Sequence, residues 1–181
     1  MCRNAERWLY RLEQHVSWPS GHAFPEDMAF EDKKGVRRLE ITKDGRITVL
    51  AGYAWDGCTP KFCLLDILFG IPDGVVDSRT GRPKTYYASL IHDVLYQFLD
   101  DLLPLTRREV DGFFLGLMGV TGFTWRYAYY GAVRLFGGLF RRGAEIVRSR
   151  KGKRVPLSIS VAHGAHVLVL EAAHPVDPAD A

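Results

Sequence analysis

The chain has 181 residues, 47% of them hydrophobic and 25% charged, with a formal net charge of +3; this is the size and texture of one globular domain and excludes a disordered polymer or a bare helical rod. Three cysteines, Cys2, Cys58 and Cys63, cannot make the dense bridge framework of a small secreted domain, so a reducing compartment is expected. Arg3, Glu6, Arg7, Arg11 and Glu13 break every early apolar run, leaving no signal-peptide core, and the uncharged stretches fall short of the roughly 18–20 apolar residues of a spanning helix; a cytoplasmic protein is expected.

In chain order, the steps of three and four between Trp8, Leu9, Leu12 and Val16 predict an amphipathic helix, stopped by Ser17, Trp18, Pro19, Ser20 and Gly21. Residues 1–22 are therefore expected to be an N-terminal helix and linker, followed by a core domain over 23–150 and a basic linker and tail over 151–181. From Val36 to Ala54 the period changes to two: Leu39 and Ile41 alternate with Arg38, Glu40 and Thr42, and Asp44-Gly45 separates them from Ile47 and Val49. That pattern predicts a hairpin and a small antiparallel sheet. Lys61 to Phe69 is expected to be a short helix, and the Gly, Pro and Asp of Gly70 to Thr85 a loop. Longer helices are predicted over Tyr86 to Leu99, Thr106 to Val120 and Thr124 to Arg148, the second opened by a Thr106/Glu109 capping box. A strand pair or a mobile tail closes the chain. The fold class expected is α+β: an N-terminal helix, a small antiparallel β-sheet, then a three-helix bundle.

The chemistry-bearing residues concentrate in Ile91-His92-Asp93-Val94-Leu95-Tyr96. On a helix His92 and Tyr96 share a face with Ser89, while Asp93 lies about 100° round the axis beside Gln97. Apolar neighbours bury this helix, so its polar groups need partners. Asp56, in a glycine turn, and Asp111, on the next helix, are candidates, and such convergence suits a metal site or a general base with an orienting carboxylate. A purely structural histidine tied by hydrogen bonds is the competing account. Cys58 and Cys63 lack a second pair of zinc ligands and read as small buried hydrophobes. Arg134 to Arg154 holds eight basic residues against the single acid Glu145; a solvated helix face running into a basic linker is the favoured account of this stripe, and the alternative makes Arg134, Arg141 and Arg142 candidate contacts to an anionic membrane surface or nucleic acid. No specific nucleic-acid motif is present.

Four blocks in order, Ala51-Gly52-Tyr53-Ala54-Trp55-Asp56-Gly57-Cys58-Thr59-Pro60, Ala88-Ser89-Leu90-Ile91-His92-Asp93-Val94-Leu95-Tyr96, Arg107-Arg108-Glu109-Val110-Asp111 and Tyr130-Gly131-Ala132-Val133-Arg134-Leu135-Phe136-Gly137, resemble the domain of unknown function 1353 family over about residues 37–140. That resemblance implies a phage or prophage association and no established activity. His92-Asp93-x-x-Tyr96 is also similar to the helix motif of phospholipases A2. This second resemblance implies that His92 is the base that activates water, that Tyr96 and Asp111 orient it, that Asp93 ligates calcium (Ca2+), and that Asp56 and the loop bearing Tyr53, Trp55 and Gly57 complete the site. The function expected is a calcium-assisted hydrolase of a lipid ester. The alternatives are a non-enzymatic phage or prophage accessory protein with a structural His/Asp cluster, or another metal-dependent hydrolase such as a His-Asp phosphohydrolase, for which further ligands are missing near His92.

Overall fold

The computed structural model describes residues 10–55, 57, 62–64, 67–69, 75–78, 80–99, 102–143, 152–158, 160, 162 and 164–172. The strands before the helices are β1 (Tyr10–Arg11), β2 (His15–Pro19), β3 (Met28–Glu31), β4 (Arg37–Ile41), β5 (Arg46–Val49), β6 (Ala54–Trp55), β7 (Phe62–Leu64) and β8 (Ile67–Phe69). Helices α1 (Tyr86–Phe98), α2 (Arg107–Val120) and α3 (Arg126–Gly143) follow, and β9 (Lys153–Pro156) and β10 (Val167–Val169) come last.

Six strands form one mixed sheet in the order β10-β2-β5-β4-β3-β9, in which only β10 and β2 run parallel. Alternation along the strands divides it into two faces. Val16, Val49, Leu39 and Phe30 lie in register across four strands, as do Trp18, Ile47, Ile41 and Met28 one step along. All eight are at most 1% exposed, and each contributes roughly 1.5–3 kcal/mol by leaving water. Helices cover this inner face: Trp18 meets Phe113 of α2 edge-on at 5.2 Å, and Phe30 meets Phe98 of α1 at 5.2 Å. On the outer face Ser17, Thr48, Glu40 and Ala29 form a second row in register. They too are buried. Ser17 Oγ and Thr48 Oγ1 are 3.0 Å apart, and Ser160 Oγ donates to Glu40 Oε2 at 2.5 Å. Ser160 belongs to the connection from β9 to β10, which must therefore pass across this face from one edge of the sheet to the other.

The expected layout needs correction. No N-terminal helix forms over the described part of residues 1–22: Tyr10–Arg11 pairs with Ala54–Trp55, and His15–Pro19 is a strand inside the large sheet. The spacing of Leu12 and Val16 fits a helix, but Val16 and Trp18 alternate with Ser17 at period two, and the open edge of β5 captures them. Pro19, read as a stop, lies past the span of β10, whose partners are His15 to Ser17, so its missing N–H costs no bond on that side. The sheet is large and mixed rather than small and antiparallel, and the helices form a layer against it rather than a separate bundle. Lys61 to Phe69 contains the antiparallel pair β7 and β8 in place of a short helix.

At the β4–β5 turn the Gly45 N–H bonds Thr42 O at 2.9 Å with φ +92°. A Cβ there would stand 2.4 Å from the His22 carbonyl oxygen, so only glycine fits both the backbone and the space.

Candidate functional site

Helices α1 and α2 bring their polar residues together because a short connection folds them side by side, α1 running to Phe98 and α2 starting at Arg107. The Thr106 side chain accepts from the Glu109 N–H while the Glu109 carboxylate accepts from the Thr106 N–H at 2.6 Å, fixing where α2 starts. One turn in, Asp111 is 0% exposed, and a carboxylate so placed requires partners. It has them from all three helices. His92 Nε2 lies 3.2 Å from its Oδ1, and the Tyr96 hydroxyl donates to the same oxygen at 2.6 Å. Arg134 Nη1 of α3 donates to Oδ2 at 3.1 Å, and Arg107 Nε is 3.7 Å from Oδ2. Arg107 Nε also donates to the Tyr96 hydroxyl at 2.9 Å, while its Nη2 donates to the carbonyls of Val133 and Arg134 at 2.8 and 3.0 Å.

Burial would raise the Asp111 carboxyl, but hydrogen bonds from His92, Tyr96 and Arg134 outweigh it and hold the pKa below the ordinary value. Burial pushes the His92 imidazole down; the Asp111 and Asp93 carboxylates outweigh that and leave it above the ordinary value. Burial and the neighbouring Asp111 raise Tyr96, which stays a protonated donor. An ionised Asp111 can only accept, so Nε2 of His92 carries the proton and Nδ1 of the neutral ring keeps the free lone pair. Nδ1 is 3.7 Å from Asp93 Oδ1. The His92 ring is wedged between Tyr96 and Phe114, with centroids 4.2 and 4.9 Å away.

The structure thus brings His92, Tyr96 and Asp111 into one cluster. Asp93 adjoins it, a third exposed. Ser89, Asp93 and Gln97 stand one turn apart along α1, and β6 with the residue before it lies along that stripe: Trp55 Nε1 donates to Ser89 Oγ at 3.2 Å, and the Tyr53 hydroxyl donates to Gln97 Oε1 at 3.3 Å. Gly57 follows with φ +76°. Asp56 lies outside the described residues, as do Cys58 and the side chains of Cys63, Arg141 and Arg142. Among the described residues no three His, Cys, Asp or Glu side chains gather into a metal cage. Of the oxygen donors that calcium takes, the described residues beside the cluster supply the partly exposed Asp93 carboxylate.

Sequence reasoning missed two members of the cluster. Arg107 precedes Asp111 by four residues, the helical ion-pair spacing, which is a usable signal. Arg134 reads in the sequence as part of a solvated or anion-facing stripe, and nothing there joins it to a carboxylate on another helix. The basic stripe is further divided at its end, where Lys153 pairs with Glu31 at 3.2 Å and Arg154 with Glu26. Among the described residues no helix is long and apolar enough to cross a membrane. No family model, no curated protein and no solved structure matches the chain.

Proposed function

We propose that the protein is a calcium-assisted ester hydrolase of the phospholipase A2 type, with His92 as general base and a lipid ester as substrate. The observation that supports this reading is the His92–Asp111 pair at 3.2 Å, with Tyr96 on the same carboxylate oxygen. Asp111 fixes the tautomer that leaves Nδ1 free, and that nitrogen takes a proton from water as the water oxygen adds to the ester carbonyl. Collapse of the adduct breaks the acyl C–O bond, the proton passes from His92 to the departing alkoxide, and a fatty acid and an alcohol result. Calcium held by Asp93 and carbonyls of the 53–57 segment would stabilise negative charge on the carbonyl oxygen. The resemblance to the domain of unknown function 1353 family adds a phage or prophage setting to this proposal, and the anionic membrane surface is its partner.

The test is calorimetric titration with calcium, magnesium and zinc beside a phospholipid hydrolysis assay. His92→Gln is expected to abolish turnover and keep calcium binding; Asp93→Asn is expected to abolish both. A folded wild type that neither binds calcium nor cleaves phospholipid in micelles or vesicles would sink the proposal. One observation favours a second reading, a non-enzymatic accessory protein: the Asp111 carboxylate ties α1, α2 and α3 together. On that reading both substitutions lower the melting temperature and no reaction exists to lose.

A further inference from the structure

We propose that the outer face of α3, with the turn that precedes it, is the surface by which the protein docks on an anionic lipid bilayer. Tyr129, Tyr130 and Val133 pack toward the core, so the opposite side of the helix faces water. There Tyr127 is 50% and Leu135 75% exposed, and Trp125, just before the helix, is 68% exposed. A second apolar pair adjoins them. Val75 and Val76 are 70% and 58% exposed, and Lys84, whose N–H bonds Val75 O, reaches Gly122 O with Nζ at 3.2 Å. These five are most of the large apolar side chains that the described residues leave in water: Trp125, Tyr127 and Leu135 belong to α3 and the turn before it, and Lys84 ties Val75 to that same turn, a concentration of exposed apolar surface that suits a contact face.

Charge selects the partner. Helix α3 contains Arg126, Arg134, Arg141 and Arg142 and no acid, a balance that repels a basic partner and attracts a sheet of lipid phosphates. Tryptophan and tyrosine suit the headgroup layer, where one end of the ring is apolar and the other wet. The Arg126 guanidinium lies over the Tyr127 ring, 5.0 Å from its centroid. Arg134 joins this surface to the cluster, because it leaves the helix to hold Asp111. Docking would therefore set the Asp111 side of the molecule close to lipid. This part rests on the proposed hydrolase; the docking itself does not.

The experiment is co-sedimentation of the full chain with phosphatidylcholine vesicles with and without phosphatidylglycerol, using ether lipids and a chelator so that no ester is cleaved. Binding is expected only with phosphatidylglycerol, and it should weaken with salt as screening shortens toward about 8 Å at physiological ionic strength. Leu135→Glu is expected to lower the bound-to-free ratio about tenfold or more, while Val36→Glu, in the exposed β3–β4 turn, leaves it unchanged. Tryptophan emission should shift to the blue on binding in the wild type and not in Trp125→Leu. Equal binding to neutral vesicles, full binding by Leu135→Glu, or a wild-type dimer that Leu135→Glu dissociates would overturn the proposal. Because hydrolysis is scored separately, bound vesicles without turnover count against the hydrolase alone, and turnover without docking counts against this surface alone.

Discussion

Asp111 concentrates the energetics of the site in one side chain. Asp111→Ala leaves His92, Tyr96 and Arg134 without their shared acceptor, and a loss of about 3–5 kcal/mol is expected in denaturant titration. The pH dependence follows from the two shifts. Asp111 is depressed, so its contribution is present above the unfolded carboxyl value near 3.9 and is lost as pH falls through the folded value. His92 is raised, so its contribution is full below about 6.5 and is lost as pH rises through the folded value. Stability from the pair is therefore expected to be greatest between about pH 4 and 6.5, and His92→Gln should remove the alkaline decline of a melting-temperature series. A general base works only when neutral, so hydrolysis should rise above about pH 6.5, where this stability fades. Helical period alone places His92 and Tyr96 on one face. Arg134 was illegible because it joins Asp111 from 23 residues away across a helix interface.

Helix positions were more legible than strand positions, for physical reasons. The capping box at Thr106 is a local hydrogen-bond pattern, and α2 begins where it says; Thr106→Ala should cost about 1 kcal/mol in equilibrium unfolding. The Asp44-Gly45 turn is equally local, and Gly45→Ala is expected to destabilise by about 1–3 kcal/mol, because strained φ and contact with His22 both resist it. The N-terminal segment was misread because its partner is remote: Ser17 and Trp18 acquire strand geometry by pairing with Thr48 and Ile47. A Leu12 and Val16 spacing that satisfies either period cannot report which neighbour will be present. The same limit hid the partners of β9 and β10: a terminal strand pair is one reading of the sequence, but the two strands pair with β3 and β2, more than a hundred residues earlier, at opposite edges of the sheet.

At the scale of the molecule the two layers separate tasks. The inner face of the sheet supports α1 and α2, whose contact line carries the His92 and Asp111 cluster. The outer face hides a polar row beneath the β9–β10 connection, with Ser160 on Glu40. Removing residues from Gly152 onward is expected to bare Ser17, Glu40 and Thr48 and both edges of the sheet together. The checkable result is a shortened chain that elutes as aggregate by size exclusion; a monomer melting at the full-length temperature would show that the last strands add nothing.

The placement of β9 and β10 also orders events in time. A ribosome delivers β2, β3, β4 and β5 early, and these four can pair among themselves, yet each outer edge waits for residues beyond 152 to emerge. Throughout that interval the nascent chain presents two open strands, the state in which sheets join their neighbours. Slow translation of the last third would prolong it, and a chaperone that shields strand edges would matter most there. Among the described strand pairs, those that close the sheet span the most sequence, so closure should also be the slow phase of refolding.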